Sequence, residues 1–249
     1  MSKLARLTAI SGLSVAVLGL SGCAAMSTYM NHKDLSVNSK MSESIFLDPQ
    51  TDKDKTIYVN VKSTLSQDFS GLEDKLDKQL EDRGWTIVDN TKQANDMVQV
   101  NVLQAGKVKS VKDAYDALNS GYGGDIATGV FTGLSTGVAT DSGRTAAGVG
   151  LAASAASWAA NQMVEDVTYS MITDIQVSQR QDGEVTQHTS SSMNQGSSTN
   201  VSQSYDQKSN WLKYRTRIVS TADKVNLDFK EAVPHLENQI AKEVAGIFG

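Results

Sequence analysis

Between Gly121 and Val164 the chain runs almost entirely through small and apolar residues, and from Ile126 onward its only formal charges are Asp141 and Arg144. Those two charges sit in Asp141-Ser142-Gly143-Arg144, a turn sequence that divides two stretches of about twenty residues each. As helices, each stretch would reach about 30 Å, which matches the thickness of a hydrocarbon core. The small residues are in register. Gly129, Gly133 and Gly137 recur every fourth position, as do Gly148, Ala152, Ala156 and Ala160. That spacing makes one stripe on a helix, along which two backbones can approach closely. Each glycine costs a helix about 1 kcal/mol relative to alanine, so the first stripe alone costs about 3 kcal/mol. Three readings are open: a helical hairpin buried in a soluble core, a glycine loop, or a hairpin inserted in a membrane. The stripes and the scarcity of bulky side chains favour the third. One hairpin per chain is a thin membrane element, and no series of alternating ten-residue strands is present to build a β-barrel. A ring of identical hairpins would satisfy it, which predicts a cyclic homo-oligomer.

The N-terminus points to the same setting. Lys3 and Arg6 precede an apolar run from Leu7 to Leu20, the layout of a bacterial export signal and too short for a good membrane span. The run ends in Leu20-Ser21-Gly22-Cys23, and Cys23 is the only cysteine among 249 residues. This resembles a lipobox, which implies cleavage after residue 22 and a diacylglycerol plus an N-acyl chain on Cys23. Each buried CH₂ of such chains contributes ~0.8 kcal/mol, so several chains on one residue anchor firmly. Ala24 follows the cysteine where an inner-membrane retention signal would have Asp, and in the sorting rules this resembles, that implies the outer membrane of a Gram-negative cell. Removing Lys3 and Arg6 with the leader takes the net charge from −5 to about −7. An acidic body argues against nucleic acid as a partner, and its attachment to anionic headgroups must be apolar.

Residues 23–55 are polar and weakly patterned, a lipidated tether with ordered contact expected near Ile45-Phe46-Leu47. Two halves of an α/β domain, 56–120 and 165–249, flank the apolar hairpin of 121–164. Alternation of Ile57, Val59 and Val61 predicts a half-buried strand from Thr56 to Ser63. Leu72, Leu76 and Leu80 predict a helix over Ser70–Arg83, with Ser70 and Glu73 at capping-box spacing and Gly84 as its stop. Short strands are expected at 85–88 and 97–103. Val167, Tyr169 and Met171 alternate and continue at Ile175 and Val177 beyond an irregularity at Ile172, and Trp211–Ser220 is strand-like. Phe229, Val233, Leu236, Ile240, Val244 and Ile247 form one face of a C-terminal helix, with Pro234 expected near its first turn. The fold class is α+β: a small sheet carrying packed helices on one face. Residues 182–210, rich in Ser, Thr, Asn and Gln, read as a polar loop or a long polar hairpin, with a binding loop as the sharper alternative.

No reaction chemistry emerges. Gly148-Val149-Gly150-Leu151-Ala152-Ala153 fits a relaxed dinucleotide fingerprint but lacks a preceding strand. His32, His188 and His235 are isolated, without metal-ligand spacing, and Glu165-Asp166 reads as interfacial charge rather than a paired-acid site. With Cys23 acylated there is no free thiol nucleophile, so neither an enzyme, a metal nor a dissociable cofactor is expected.

Long words of the chain, in order, resemble the TraT family of plasmid-encoded outer-membrane lipoproteins of surface exclusion and complement resistance. They are Leu20–Thr28, Met41–Leu47, Asp68–Leu72, Gly121–Gly124, Met163–Asp174 and Lys224–Phe229, and the resemblance extends over essentially the whole mature chain. It implies a surface-exposed oligomer that hinders mating-pair formation during conjugation and reduces attack by complement. Specificity in the family implies contact residues at Gly121, Tyr122, Gly123, Gly124 and Asp125, facing a donor cell's pilus tip or outer-membrane protein. The alternative is a ring-forming transport or secretion component.

Overall fold

In a computed structural model of the chain, residues 32–127, 129–132, 165–195 and 199–249 are described; the side chains of 187–205 and 207 are not. A single six-stranded mixed sheet joins both halves of the chain. Its strands are β1 (Ser36–Met41), β2 (Thr56–Ser63), β3 (Thr86–Ile87), β4 (Asp96–Val108), β5 (Asp166–Gln195) and β6 (Thr199–Val225), in the order β1-β6-β5-β4-β2-β3. The β2 pairings with β3 and β4 are parallel, and those of β4 with β5, β5 with β6 and β6 with β1 are antiparallel. The helices are α1 (Ser70–Glu81), α2 (Val111–Asp116) and α3 (Phe229–Gly246), with a 3₁₀ turn at Ala117–Ser120. The α+β class expected from the patterning is the class observed.

One face of the sheet carries the main core. Ile57, Val59, Val98, Val100, Met171, Ile175, Val177 and Ile218 meet Leu72, Leu76 and Leu80 of α1 and Leu236, Ile240 and Val244 of α3. Burying each of these side chains contributes roughly 1.5–3 kcal/mol. The α1 helix does not start with a capping box. Phe69 occupies the cap position without a side-chain bond, and Asp68 Oδ1 instead accepts from the Ser70 amide at 2.8 Å. At α3 the Asp228 side chain accepts from the Glu231 amide at 2.8 Å, a proper N-cap. Pro234 lies one turn further in than expected, inside the helix, where it cannot donate to a carbonyl of the preceding turn. Lys75 Nζ and Glu237 Oε2, 2.8 Å apart, tie α1 to α3.

The opposite face is also covered, which corrects the expectation of helices on one side only. Val108, Ile172 and Val219 face a second apolar cluster with Ala114, Ala117 and Val130. The irregularity expected at Ile172 lies on the neighbouring strand, where the β4 register shifts between Val102 and Gln104 opposite Thr173 and Ile172; β5 itself alternates through. Neighbouring strand residues point to opposite faces, and both faces here are buried.

Two further expectations are corrected and one open reading is decided. The tether contains strand β1, which alternates between half-buried and exposed positions and packs Val37 and Met41 on the core. Ile45 and Leu47 also reach the core, while Phe46 is 84% exposed. Of the two readings of 182–210, the long polar hairpin is the one observed: β5 and β6 continue as a two-stranded ribbon, re-paired from Val185 with Ser209 out to Gln195 with Thr199. Ser and Thr ladders can pair in a ribbon without any apolar alternation, so hydrophobic periodicity was blind to it. Finally, the part of 121–164 that is described, up to Thr132, is not helical; it crosses the second face and bridges to β4 through Phe131 and Val108. No helix among the described residues is long and apolar enough to cross a membrane.

Candidate functional site

Five residues expected to contact a partner, Gly121 to Asp125, form a short loop on the second face, held from beneath by a buried ion pair. Asp174 of β5 and Arg217 of β6 are direct cross-strand partners, so their side chains leave the sheet side by side. Arg217 Nε donates to Asp174 Oδ1 at 2.7 Å, and Nη2 donates to Oδ2 at 3.1 Å, a bidentate fork. The side chains are 0% and 7% exposed. Two charges at that depth require every remaining donor and acceptor to be used, and the loop supplies the partners. Arg217 Nη1 donates to Ser120 Oγ at 2.7 Å and to the Ala117 carbonyl at 3.3 Å; Nη2 donates to the Gly124 carbonyl at 2.8 Å. Asp174 Oδ2 accepts from the Gly123 amide at 2.7 Å. The pair thus grips the loop by its backbone on both sides of Tyr122.

Glycine is required for this grip. Gly123 has φ +71°, and a Cβ on Gly124 would stand 2.1 Å from the Ser120 carbonyl oxygen. Only a chain without side chains at these positions can fold back so closely onto the 3₁₀ turn. That turn follows from α2, whose N-cap Ser110 accepts from the Asp113 amide and whose Ala114 is buried against the sheet. Above the clamp Tyr122 is 40% exposed, and the Arg215 guanidinium lies 5.3 Å from its ring centroid. Arg215 Nε donates to Gln176 Oε1 at 2.9 Å, so the cation beneath the ring is itself fixed. Gly123 and Asp125 complete the exposed surface. The loop exposes an aromatic ring, a carboxylate and bare backbone above the clamp.

The other sequence-predicted residues fall elsewhere. Gly129 has φ +102° and lies in a turn, so it is not the first member of a helical stripe. Gly133, Gly137, Gly148, Ala152, Ala156, Ala160 and Cys23 lie outside the described residues. His32, expected to be isolated, is corrected: its Nδ1 lies 2.8 Å from Asp223 Oδ1 and 3.4 Å from Asp166 Oδ1. His235 is exposed on α3, and Glu165 pairs with Lys107 at 2.6 Å. Two carboxyls are displaced upward in pKa. Burial pushes Asp96 up to about 7, opposed by Gln179. Burial and the charges of Glu73, Glu81 and Asp74 push Asp77 up to about 6. Neither touches the loop. Arg217 and Asp174 escaped the sequence reading because Arg217 alternates with Leu212, Tyr214, Thr216 and Ile218 and so read as solvent-facing. The available signal was Asp174 itself, a lone charge between Ile172 and Ile175.

Sheet, clamp and loop together form a β-structure that holds a short backbone-rich loop out to solvent. A family model described as "Enterobacterial TraT complement resistance protein" matches residues 34–248. Two Escherichia coli proteins named TraT complement resistance protein are similar to the chain. One is 42% identical over 97% of this chain and 98% of its own length. The other, from strain K12, is 40% identical over 99% and 100%. A TraT complement resistance protein from Wigglesworthia glossinidia brevipalpis is 32% identical over 36% of this chain and 37% of its own length. The chain belongs to the TraT family.

Proposed function

We propose that this chain is a non-catalytic outer-membrane lipoprotein that hinders mating-pair formation by presenting the Gly121–Asp125 loop to a donor cell's pilus tip or outer-membrane protein. Complement resistance, the property named in its relatives, is the second activity we assign to it. The observation that carries the recognition role is the clamp, which spends two buried charges on holding five residues of surface backbone in one conformation. Preorganisation of that kind lowers the ordering cost of binding.

The fold also supports an orientation. Thr132 donates its amide to the Lys107 carbonyl at 2.7 Å, and the Lys107 side chain pairs with Glu165. Both ends of the apolar 133–164 segment therefore attach at one end of the sheet. His32, nine residues after the lipidation site Cys23, contacts Asp166 at that same end. Nine extended residues span at most about 30 Å, so acyl anchor and apolar segment can reach one bilayer. The recognition loop, eight strand residues up β5 at Asp174, stands about 25 Å beyond that end. The polar β5–β6 ribbon points the opposite way.

Recipient cells expressing the chain should receive a plasmid from donors carrying the same element far less often in liquid mating than cells with an empty vector. Unchanged transfer would reject the exclusion role. The ring, assembled through Gly133, Gly137 and the Gly148–Ala160 stripe, predicts a discrete multiple of the monomer mass in mild detergent, lost in Gly133→Leu. A monomer in both would reject the assembly.

A further inference from the structure

His32, Asp166 and Asp223 belong to three segments far apart in the chain, and their ligand atoms all lie within 4.8 Å of one another. The sheet sets this up. Asp223 is the cross-strand partner of Thr168, and Asp166 lies two residues before Thr168 on the same strand, so both carboxylates leave the same face as diagonal neighbours. Thr168 Oγ1 donates to Asp223 Oδ2 at 2.5 Å, which turns Oδ1 toward His32. That is the outer-shell arrangement that orients a metal-binding carboxylate. The nearby ammonium groups are engaged elsewhere: Lys33 with Asp34 at 3.0 Å, Lys107 with Glu165 at 2.6 Å and Lys224 with Glu231 at 2.6 Å. Two carboxylates thus share one imidazole as their opposite charge. Burial first, and the Asp223 charge second, raise the Asp166 pKa, and His32 opposes them.

A divalent ion removes that conflict, since two carboxylates and a neutral imidazole balance its charge. In a tetrahedral site with metal–ligand bonds of about 2.0–2.2 Å, ligand atoms stand about 3.4 Å apart. The observed 2.8 Å and 3.4 Å separations from His32 Nδ1 need only side-chain adjustment to reach this. One imidazole with two carboxylates suits zinc-like ions over Ca²⁺ or Mg²⁺, which favour all-oxygen sets. We propose that His32, Asp166 and Asp223 form a three-ligand site for a divalent transition-metal ion of the zinc type. The ion latches the lipid-bearing N-terminal segment onto the start of β5 and the end of β6, with a fourth position left for water.

The full chain, purified in mild detergent and stripped with a chelator, would be titrated with Zn²⁺ by calorimetry at about pH 7.5. The site predicts one ion per chain, at least about tenfold weaker uptake in His32→Gln and in Asp223→Asn, and unchanged uptake in His235→Gln. Co²⁺ at the same site would give visible absorption bands that both ligand variants lose. Asp166→Asn, at a half-exposed position, gives a third ligand variant should the fold not tolerate the change at Asp223. No uptake below about 100 µM Zn²⁺, or uptake indifferent to all three ligand variants, would overturn the site. Equal affinity for Ca²⁺ would overturn the class of ion.

Discussion

Replacing Arg217 by methionine keeps the volume of its stem and removes every donor that Arg217 brings to the clamp. Asp174 is then left 7% exposed with the Gly123 amide as its remaining hydrogen bond. Removing one member of a buried pair costs about 3–5 kcal/mol, because the surviving charge has neither partner nor water. The half-buried Gly124 carbonyl also loses its donor, but water can replace Arg217 there, and the buried Ala117 carbonyl keeps the Ser120 hydroxyl as donor at 3.0 Å, so the two add little. For a domain of this size each kcal/mol lowers the melting temperature by roughly 2–4 °C, so a fall of about 10 °C is expected. Urea unfolding of the full chain in detergent, followed by circular dichroism, measures the cost. The double variant Asp174→Leu/Arg217→Met tests its origin. A well-packed apolar pair is often as stable as the ion pair it replaces, so the double variant should recover to within about 2 kcal/mol of the parent. Hydrogen exchange should separate stability from anchoring: the Gly123 and Gly124 amides should exchange faster in both variants. A single variant costing under about 1 kcal/mol, or a double variant as unstable as the single, would refute the reasoning.

Three other outcomes are expected. Asp96 is fully buried, and its pKa rises from 3.8 to about 7 on folding. The native state therefore holds a proton that the unfolded state releases, so stability falls as pH rises from about 4 to 7 and is flat above. The full effect is up to about 4 kcal/mol. Asp96→Asn should abolish that fall, which chemical unfolding at a series of pH values would detect. At Gly84, φ is +83° and a Cβ would meet nothing within 4 Å, so Gly84→Ala isolates backbone cost; a loss of about 1–2 kcal/mol is expected in the same unfolding assay. Gly124→Ala would drive a methyl group into the Ser120 carbonyl 2.1 Å away. It should raise exchange at Gly123 and weaken exclusion in liquid mating while leaving the helix-packed core, and so far-UV dichroism, intact.

How much of this was legible depends on what each residue faces. Leu72, Leu76 and Leu80 announced α1 because a helix with one buried face leaves a 3.6-residue period, and Ile57, Val59 and Val61 announced β2 by strict alternation. β1 was hidden because an edge strand needs only half its surface covered, and Ser36–Met41 carries just Val37 and Met41 as apolar anchors. The β5–β6 ribbon could be read only as one of two options, loop or hairpin, because cross-strand pairing of polar residues leaves no hydrophobic period to decide between them. The loop Gly121–Asp125 could be singled out through family resemblance. What fixes it could not, because Asp174 and Arg217 are 43 residues apart in the chain and only the strand register brings them together. His32 escaped for the same reason: its partners are 134 and 191 residues away, beyond any spacing rule.

Recognition of the donor cell by the exposed face of the clamped loop is what the proposed function requires. Its most direct test is liquid mating with recipients carrying Tyr122→Ser, matched to the parent for outer-membrane abundance and detergent mass. Tyr122 makes no hydrogen bond to the clamp, so the variant keeps the fold and loses only the exposed ring and its contact with Arg215. Transfer rising to the level of cells without the protein, at equal abundance, is the predicted result. Exclusion as strong as the parent's would contradict the account and move recognition to another surface.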